Sequence, residues 1–316
     1  MSAALRLTAV LLWLAAACLL RLMLGDPLLL AGDIILGLTG DAPGVRFILV
    51  ESRLPAVAVG VLAGAALGAS GTLFQTLLRN PLAAPDVVGV SYGASAAAVV
   101  GMSVFALQGP ALSAVAVLGG LASALLVMWV ARGGTTQFVL VGIAVAAALQ
   151  AVVNFLLTRS DARTAQDLLH WLVGSLASAS WERAGVLALC LLGLAPAAAL
   201  VIRPLSSLEL GEDAAASLGT RVGTARVAVV LVAVALSAVA IAVTGPLAFV
   251  AFLSGPIARL LLPGRRALGL TLAAAAAVGA ALTVTADLTP LPAGVITGLL
   301  GAPFLLWMLT RKDSSL

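Results

Sequence analysis

Residues Ser206 to Gly219 read SSLELGEDAAASLG, and they lie between two apolar runs that are each long enough to cross a lipid bilayer. The segment contains three carboxylates, Glu209, Glu212 and Asp213. Each of them would cost roughly 2.5 to 3.5 kcal/mol to insert into hydrocarbon. The segment is therefore expected in water, and the apolar runs on either side of it are expected to be membrane spans.

The same segment has the pattern of a short helix with defined ends. Ser206 and Glu209 have the spacing of a capping box, and Gly219 is typical of a helix stop. An apolar stripe along that helix would be formed by Leu210, Ala214 and Leu218. A helix of this kind at a membrane surface is either a binding surface for a partner or an ordinary connection, and the pattern leaves both open.

The composition extends the membrane interpretation to the whole chain. Of 316 residues, 62% are hydrophobic and 9% are charged, which excludes a soluble globular domain. The sequence predicts an all-α polytopic membrane protein, with one transmembrane domain over residues 1–316. Breaks at charged residues and at Gly, Pro and Asn clusters give about ten spans: 7–30, 54–78, 86–107, 111–131, 136–158, 183–202, 224–244, 247–263, 267–286 and 291–310.

The distribution of arginine and lysine predicts the orientation. Eleven of these residues flank one side of the predicted spans: Arg6, Arg79, Arg132, Arg203, Arg221, Arg226, Arg259, Arg265, Arg266, Arg311 and Lys312. Six flank the other side: Arg21, Arg46, Arg53, Arg159, Arg163 and Arg183. The richer side is expected to be cytoplasmic. Both termini and the acidic segment would then lie in the cytoplasm. We interpret the apolar run after Arg6 as the first span rather than a cleaved leader.

Several kinds of chemistry are excluded by what the chain lacks. Its single lysine, Lys312, is followed by Asp313, so the chain has no Gly-Lys-Ser/Thr phosphate loop. Any ATP must therefore be hydrolysed by another subunit. One histidine, His170, and two distant cysteines, Cys18 and Cys190, cannot form a His/Cys metal cluster within one chain. We expect no metal, no cofactor bound by this chain and no nucleic-acid partner.

The predicted spans contain two informative groups of residues. In the second span a run of glycines at helical spacing, Gly60, Gly64, Gly68 and Gly71, predicts a tightly packed central helix. Polar side chains are few, and those with amides are Gln75, Gln150 and Asn154. Such amides either face a water-filled path or bond to a neighbouring helix. No span contains a mid-membrane carboxylate or lysine suited to an ion relay.

Two stretches on the outer side are long enough to have a role of their own. They are Asp26 to Arg53 and Arg159 to Trp181. The second mixes charge with Leu and Trp, which predicts an interfacial helix rather than a free loop. It is either a docking surface or an anchor for the spans beside it.

The second and third spans contain the motifs Arg53 to Pro55, Ser70-Gly71, Gln75, Arg79 to Pro85 and Val88 to Gly93. In these motifs the chain resembles the FecCD family of bacterial ABC-importer permeases. The resemblance continues through His170 to Leu176, Gly211 to Gly219, Thr244 to Phe252 and Leu291 to Leu309, in the family's order. The resemblance implies a type II ABC importer fold of ten helices, which works as a dimer with an identical copy or a paralogue. Each copy would hold a cytoplasmic ATPase that uses ATP.

By the same resemblance, a coupling segment at about 203–222 would grip the ATPase. Its contact residues would be Glu209, Gly211, Glu212, Asp213, Ala216, Leu218 and Gly219. Arg53 would lie on the outer rim and dock an extracytoplasmic binding protein. The expected cargo is an iron(III) siderophore, with haem or cobalamin as alternatives. Residues expected along the path through the lipid-embedded dimer are Gln75, Asn80, Gln150 and Asn154.

Some positions depart from the family pattern. A second outer arginine is replaced by Ala56, the eighth span reads Leu253-Ser254-Gly255-Pro256, and the loop at Asp287 to Pro292 is short. These departures concern docking and substrate rather than ATPase coupling. Rival classes are an ion-coupled secondary transporter, which would need an embedded ionisable residue, and a membrane enzyme, which would need His, Lys or paired carboxylates at one face.

Overall fold

The computed structural model describes residues 3–131, 134–262 and 267–310, and these ranges are almost entirely helical. A π-helical segment, Ile48–Arg53, and a 3-10 turn, Pro85–Val88, interrupt the α-helices. The α-helices of the described ranges are α1 Ala3–Met23, α2 Ala31–Thr39, α3 Pro43–Phe47, α4 Leu54–Leu77, α5 Val90–Phe105, α6 Gly109–Val130, α7 Gly134–Arg159, α8 Ala162–Val173, α9 Trp181–Leu208, α10 Glu212–Ser217, α11 Val222–Thr244, α12 Val250–Leu261, α13 Leu268–Ala286 and α14 Ala293–Thr310.

The predicted spans correspond to ten of these helices: α1, α4, α5, α6, α7, α9, α11, α12, α13 and α14. Within the described ranges, eight helical segments are long and apolar enough to cross a membrane, and α5 and α12 are shorter apolar helices. The all-α membrane fold is confirmed. The first predicted span, 7–30, is too long, because α1 ends at Met23. Asp26 precedes Pro27, and the residue before a proline avoids the helical region.

The core is built around α4, as the small-residue pattern predicts. Methyl groups added at Gly64, Gly68 and Gly71 would lie 2.3, 2.2 and 1.9 Å from backbone carbonyl oxygens. Those carbonyls belong to Gly279 and Ala275 of α13 and to Ala251 of α12. Without side chains on this stripe, the backbones touch. α4 is therefore the helix against which α12 and α13 are packed.

The helix ends are sorted into two opposite faces. On one face the start of α1 meets the end of α12, where Arg6 Nη1 donates to the Leu261 carbonyl at 3.4 Å. The end of α4 meets the end of α9 there, because Arg79 donates to the Leu208 carbonyl. On the opposite face the ion pair between Arg21 and Asp287 joins the ends of α1 and α13. Other basic residues predicted for the first face lie outside the described residues: Arg132, Arg265, Arg266, Arg311 and Lys312.

Candidate functional site

The tip segment, residues 209–221, joins α9 to α11 and contains the short helix α10. Gly219 has a φ of 82°, which favours glycine. The N–H groups of Gly219 and Thr220 donate to the carbonyls of Ala216 and Ala215, both at 2.9 Å. These two bonds form a Schellman motif. The predicted helix stop at Gly219 is confirmed.

The predicted helix start is wrong. α9 continues to Leu208, and within it the Ser206 hydroxyl donates to the Ile202 carbonyl at 2.9 Å instead of capping a new helix. A helix that already exists extends at low cost. α9 ends at Leu208, three residues before Gly211, whose φ of 119° is strongly disfavoured for other residues. α10 begins one residue later, with the carboxylates of Glu212 and Asp213 in its first turn, where they complement the helix dipole.

The predicted apolar stripe is wrong for the same reason. The break at Gly211 resets the helical register, so that Ala215 is fully buried while Leu210 and Leu218 are 60% and 65% exposed. Ala215 packs against Leu208 and Ala225 at the base of the tip. The outward surface of the tip is therefore acidic and apolar at once. Its exposed residues are Glu209, Leu210, Glu212, Asp213, Ala216, Ser217, Leu218 and Gly219, with Arg221 at the end next to α11.

One arginine fastens the tip itself, and a second fastens the helix end that precedes it. Arg226 of α11 forms an ion pair with Glu212. Arg79, which follows α4 with a φ of 48°, donates to the Leu208 carbonyl at the end of α9. A cation at a helix C-terminus is favoured by the dipole. A displacement of the tip is thus resisted by contacts with α4, α9 and α11.

A cavity of about 800 Å³ lies among the helices, and its wall is mainly apolar. Its polar side chains within the described residues are those of Asp86, Ser91, Tyr92, Ser95 and Gln150. The apolar wall includes residues of α12 and α14 and of the connection before α12: Leu247, Phe249, Phe252, Val295 and Leu305. A chamber of this size and composition suits a large organic ligand held by few polar contacts.

Asp86 was missed by the sequence argument, which considered it only as the first residue of a span. It lies in the 3-10 turn before α5 and accepts a hydrogen bond from the Ser91 hydroxyl. It faces the cavity. The five-residue spacing between Asp86 and Ser91 was the available signal, because it brings a turn carboxylate to the first turn of the next helix.

The four amides predicted for the path are placed differently from one another. Gln150 lines the cavity and donates to Asn154 Oδ1 at 3.0 Å. Asn80 Oδ1 accepts from the Leu82 N–H at 2.9 Å, which orders the loop after α4. Gln75 is 2% exposed and bonded to α12. Only Gln150 among these four is part of the cavity wall.

Comparison with known proteins agrees with this architecture. The FecCD transport family matches residues 12–311. The chain belongs to the FecCD transport family. It is therefore the permease subunit of an ABC importer in the bacterial inner membrane, and it performs no ATP hydrolysis, because in this family the ATPase is a separate subunit.

Individual FecCD relatives and a solved structure extend the match. The ferric enterobactin transport permease FepG of Escherichia coli is 37% identical, over 98% of this chain and 97% of FepG. The vitamin B12 import permease BtuC of Vibrio cholerae is also 37% identical, over 84% of this chain and 83% of BtuC. An inward-facing metal-chelate type ABC transporter matches with a TM-score of 0.83 at 23% identity, over 97% of this chain and 99% of that one. That structure supports the FecCD fold alone.

Arg53 does not occupy the exposed rim position that was expected for a FecCD docking residue. It is 3% exposed. Its Nη1 donates to the carbonyls of Leu22 and Met23 at 2.5 and 2.9 Å, and its Nη2 donates to the Pro27 carbonyl. The guanidinium closes the C-terminus of α1. The expected exposure is wrong, and this geometry gives Arg53 a structural role.

The second outer stretch forms a helix, as predicted. α8 begins after Asp161, whose carboxylate accepts from the Thr164 N–H at 3.2 Å. Hydrogen bonds from the side chain and the backbone N–H of Thr164 lower the pKa of Asp161. Leu168 is fully buried and Leu169 is 52% exposed, so α8 presents different faces to the core and to its surroundings. Its interfacial position stays a prediction.

Proposed function

We propose that this permease imports iron(III)-siderophore complexes by alternating access, driven by a cytoplasmic ATPase dimer that grips the tip segment. The observation that supports ATPase coupling is the tip itself. It presents acidic and apolar side chains outward while a buried alanine, an ion pair and a helix-capping arginine fasten it to the membrane helices. Such a surface can receive a push and pass it on.

The ATPase contacts are proposed to be residues of the tip, all of them exposed except the partly buried Gly211. They comprise Glu209, Gly211, Glu212, Asp213, Ala216, Leu218 and Gly219. Exposed leucines at a protein–protein interface supply apolar area, whereas carboxylates mainly fix the register and orientation of the partner. The expected ATPase surface is therefore a groove with an apolar floor and basic edges.

The choice of siderophore rests on relatives and on the cavity. FepG matches the chain over nearly its whole length and is named for ferric enterobactin. BtuC, with the same identity over a shorter range, is named for vitamin B12, so cobalamin remains an alternative. Haem is the other alternative, since the family also includes a relative named for hemin transport. The mainly apolar cavity with Tyr92, Ser95 and Gln150 suits an organic chelate with a few hydrogen-bonding groups. Gln150 is the proposed path residue, with Asn154 holding its amide and Asn80 ordering the loop beside it.

The remaining assembly follows from the same proposal. A second copy or a paralogue completes the path, and an extracytoplasmic binding protein delivers the ligand. The even number of membrane helices and the excess of arginine on the tip side support a cytoplasmic location for both termini. Uptake of radiolabelled ferric siderophore, haemin and cobalamin by cells that express the complete transporter would identify the substrate. Uptake of haemin or cobalamin alone would refute the siderophore assignment.

Charge reversal at the tip tests the ATPase contact. Replacing both Glu212 and Asp213 by Arg should abolish co-purification of the ATPase with a permease that is still membrane-inserted. Because Glu212 pairs with Arg226, Asp213→Arg tests the interface without breaking an internal pair. Leu218→Glu tests the apolar contact, because Leu218 is 65% exposed and its loss disturbs no packing.

Two controls separate docking from folding in this experiment. Glu212→Gln removes the internal ion pair without reversing charge, and it should retain most of the bound ATPase. Asp167→Arg changes an exposed carboxylate on α8, at the opposite face, and should retain all of it. Unchanged ATPase binding by both Asp213→Arg and Leu218→Glu would show that the tip is not the coupling surface.

A further inference from the structure

The end of α4 is tied to α12 by one buried amide. Gln75 is 2% exposed. Its Nε2 donates to the Phe252 carbonyl at 3.0 Å, and its Oε1 accepts from Arg259 Nη1 at 2.9 Å. Arg259 also donates to the Thr76 hydroxyl at 3.4 Å. The side chain of Gln75 thus contacts α12 at two points, Phe252 near its start and Arg259 near its end.

The packing shows that this arrangement is specific. A Cβ at Gly255 would lie 2.0 Å from Gln75 Oε1. Glycine at this position therefore leaves the space that the amide fills. The bond from Arg259 is charge-assisted, and hydrogen bonds of this kind are shorter and stronger than neutral ones. A buried amide whose nitrogen and oxygen are both hydrogen-bonded, the oxygen to a cation, forms a stiff connection between the two helices.

The same arginine lies next to the tip segment. Glu209, the first tip residue, is within electrostatic reach of the Arg259 guanidinium. The residue before it, Leu208, receives the hydrogen bond from Arg79 at the end of α4. The start of the tip therefore interacts through charge with Arg259 of α12 and directly follows the helix end that Arg79, just after α4, holds.

The other end of the connection is in the cavity wall. Phe252, whose carbonyl accepts from Gln75, lines the cavity. Phe249, which lies one turn earlier with a φ of 61°, also lines it and packs edge-on against Phe252 with ring centroids 5.8 Å apart. A shift of Gln75 along α12 would therefore move two aromatic side chains that face the ligand chamber.

We propose that Gln75 and Arg259 are positioning residues that transmit displacement of the tip segment to the Phe249–Phe252 wall of the cavity. This inference rests on the proposed function, because it takes the tip as the place where the ATPase acts. It reassigns Gln75 from a path residue to a mechanical one. Spatial adjacency shows where coupling can pass, and measured coupling energies show that it does.

The test uses the full transporter, with its own ATPase, in proteoliposomes. A reporter is introduced by Ser95→Cys in a chain that also carries Cys18→Ser and Cys190→Ser, because Ser95 lines the cavity. The rate of modification by a membrane-impermeant maleimide is measured with and without ATP and vanadate. Coupling free energies usually correspond to changes of about 5- to 150-fold. The reporter chain with Gln75 and Arg259 unchanged should therefore show at least about a fivefold difference in labelling rate between the two conditions.

Gln75→Leu and Arg259→Met should each bind the ATPase normally and still hydrolyse ATP, while the ATP-dependent change in labelling falls below about twofold. The double variant should be no worse than either single one, since the two residues act as a unit. Arg259→Lys keeps the charge and one donor nitrogen, without the planar fork, and should recover part of the change. Arg46→Met, which removes an exposed arginine from α3, is the matched control and should behave as the reference.

The outcomes separate the two proposals. If the ATPase does not bind the reference chain, the proposed function fails. If it binds and the reference responds to ATP, but Gln75→Leu and Arg259→Met respond equally, the relay is refuted and the function stands. Lower thermal stability together with a full ATP response in the surviving transporter would likewise refute the relay, because it would show a structural role only.

Discussion

Replacing Arg53 by Met should destabilise the permease without impairing the docking of a binding protein. The substitution keeps an unbranched side chain and removes the guanidinium that bonds the carbonyls of Leu22, Met23 and Pro27. Hydrogen bonds from charged groups contribute roughly 1.5 to 3 kcal/mol each. Two of the three bonds share one nitrogen, and the carbonyls lie at a helix end that water can reach. We therefore expect a total loss of about 2 to 4 kcal/mol.

Thermal unfolding in detergent would measure this loss. At roughly 2 °C per kcal/mol for a chain of this size, the midpoint should fall by about 4 to 8 °C. Arg53→Lys should recover only part of the loss, because an ammonium cannot span three carbonyls as a planar guanidinium does. Arg46→Met, at an exposed arginine near the same face, is the control and should leave the midpoint unchanged. An unaltered midpoint for Arg53→Met, combined with weaker docking of the binding protein, would refute the capping role and restore the docking hypothesis.

Two further predictions concern packing and charge. Gly71→Ala places a methyl group 1.9 Å from the Ala251 carbonyl oxygen, and it should lower the free energy of unfolding by about 1 to 3 kcal/mol in a denaturation assay. Gly223→Ala is the control and should be neutral, because a methyl group there meets nothing within 4 Å. Equal stability of the two variants would contradict the close approach of α4 and α12. Arg21→Met leaves Asp287 without its ion-pair partner in a site where its side chain is 11% exposed, and should cost about 2 kcal/mol that Asp287→Asn restores. Burial raises the pKa of Asp287 and Arg21 opposes that rise, so in the Arg21→Met variant the folded-state pKa of Asp287 should lie further above its unfolded value. The stability lost in Arg21→Met should therefore shrink as the pH falls and the Asp287 carboxyl is protonated. A stability loss that does not change with pH would contradict this cause.

Hydropathy and charge predict the membrane architecture of this chain because both act over long windows. A span requires about twenty apolar residues, and a cluster of three carboxylates is enough to keep a segment out of hydrocarbon. The ten predicted spans therefore match ten helices, and the small-residue stripe of α4 correctly predicts a helix with backbone contacts. α5 and α12 are too short for this length criterion, yet their apolar composition still identifies them as predicted spans.

Local helix boundaries at the tip could not be predicted in the same way. Ser206 and Glu209 have the spacing of a capping box, but a cap forms only where a helix begins, and α9 had not yet ended. The competing signal was Gly211, whose backbone conformation breaks the helix and resets its register. Leu210 and Leu218 are exposed as a consequence, and the surface proposed for the ATPase is more apolar than the sequence pattern indicates.

The roles of single polar residues depend on partners that are distant in sequence. Gln75 contacts residues that follow it by 177 and 184 positions, and no local pattern distinguishes such an amide from one that faces a path. Asp86 shows the reverse error. Residue 86 was considered only as the start of a predicted span, but the turn before α5 brings its carboxylate to the cavity.

The arginines at the membrane boundary show why charge predicts topology better than it predicts docking. Arg6, Arg53 and Arg79 donate to carbonyls at or just beyond the C-termini of α12, α1 and α9. A helix end at the membrane surface leaves unpaired carbonyls and a negative dipole end, and a nearby guanidinium satisfies both. The arginines at span ends that are used to predict orientation thus lie where helix C-termini need capping, and this holds on both faces of the membrane. An outer arginine is evidence for docking only when its guanidinium is not already bonded in this way, and in this chain Arg53 does not meet that condition.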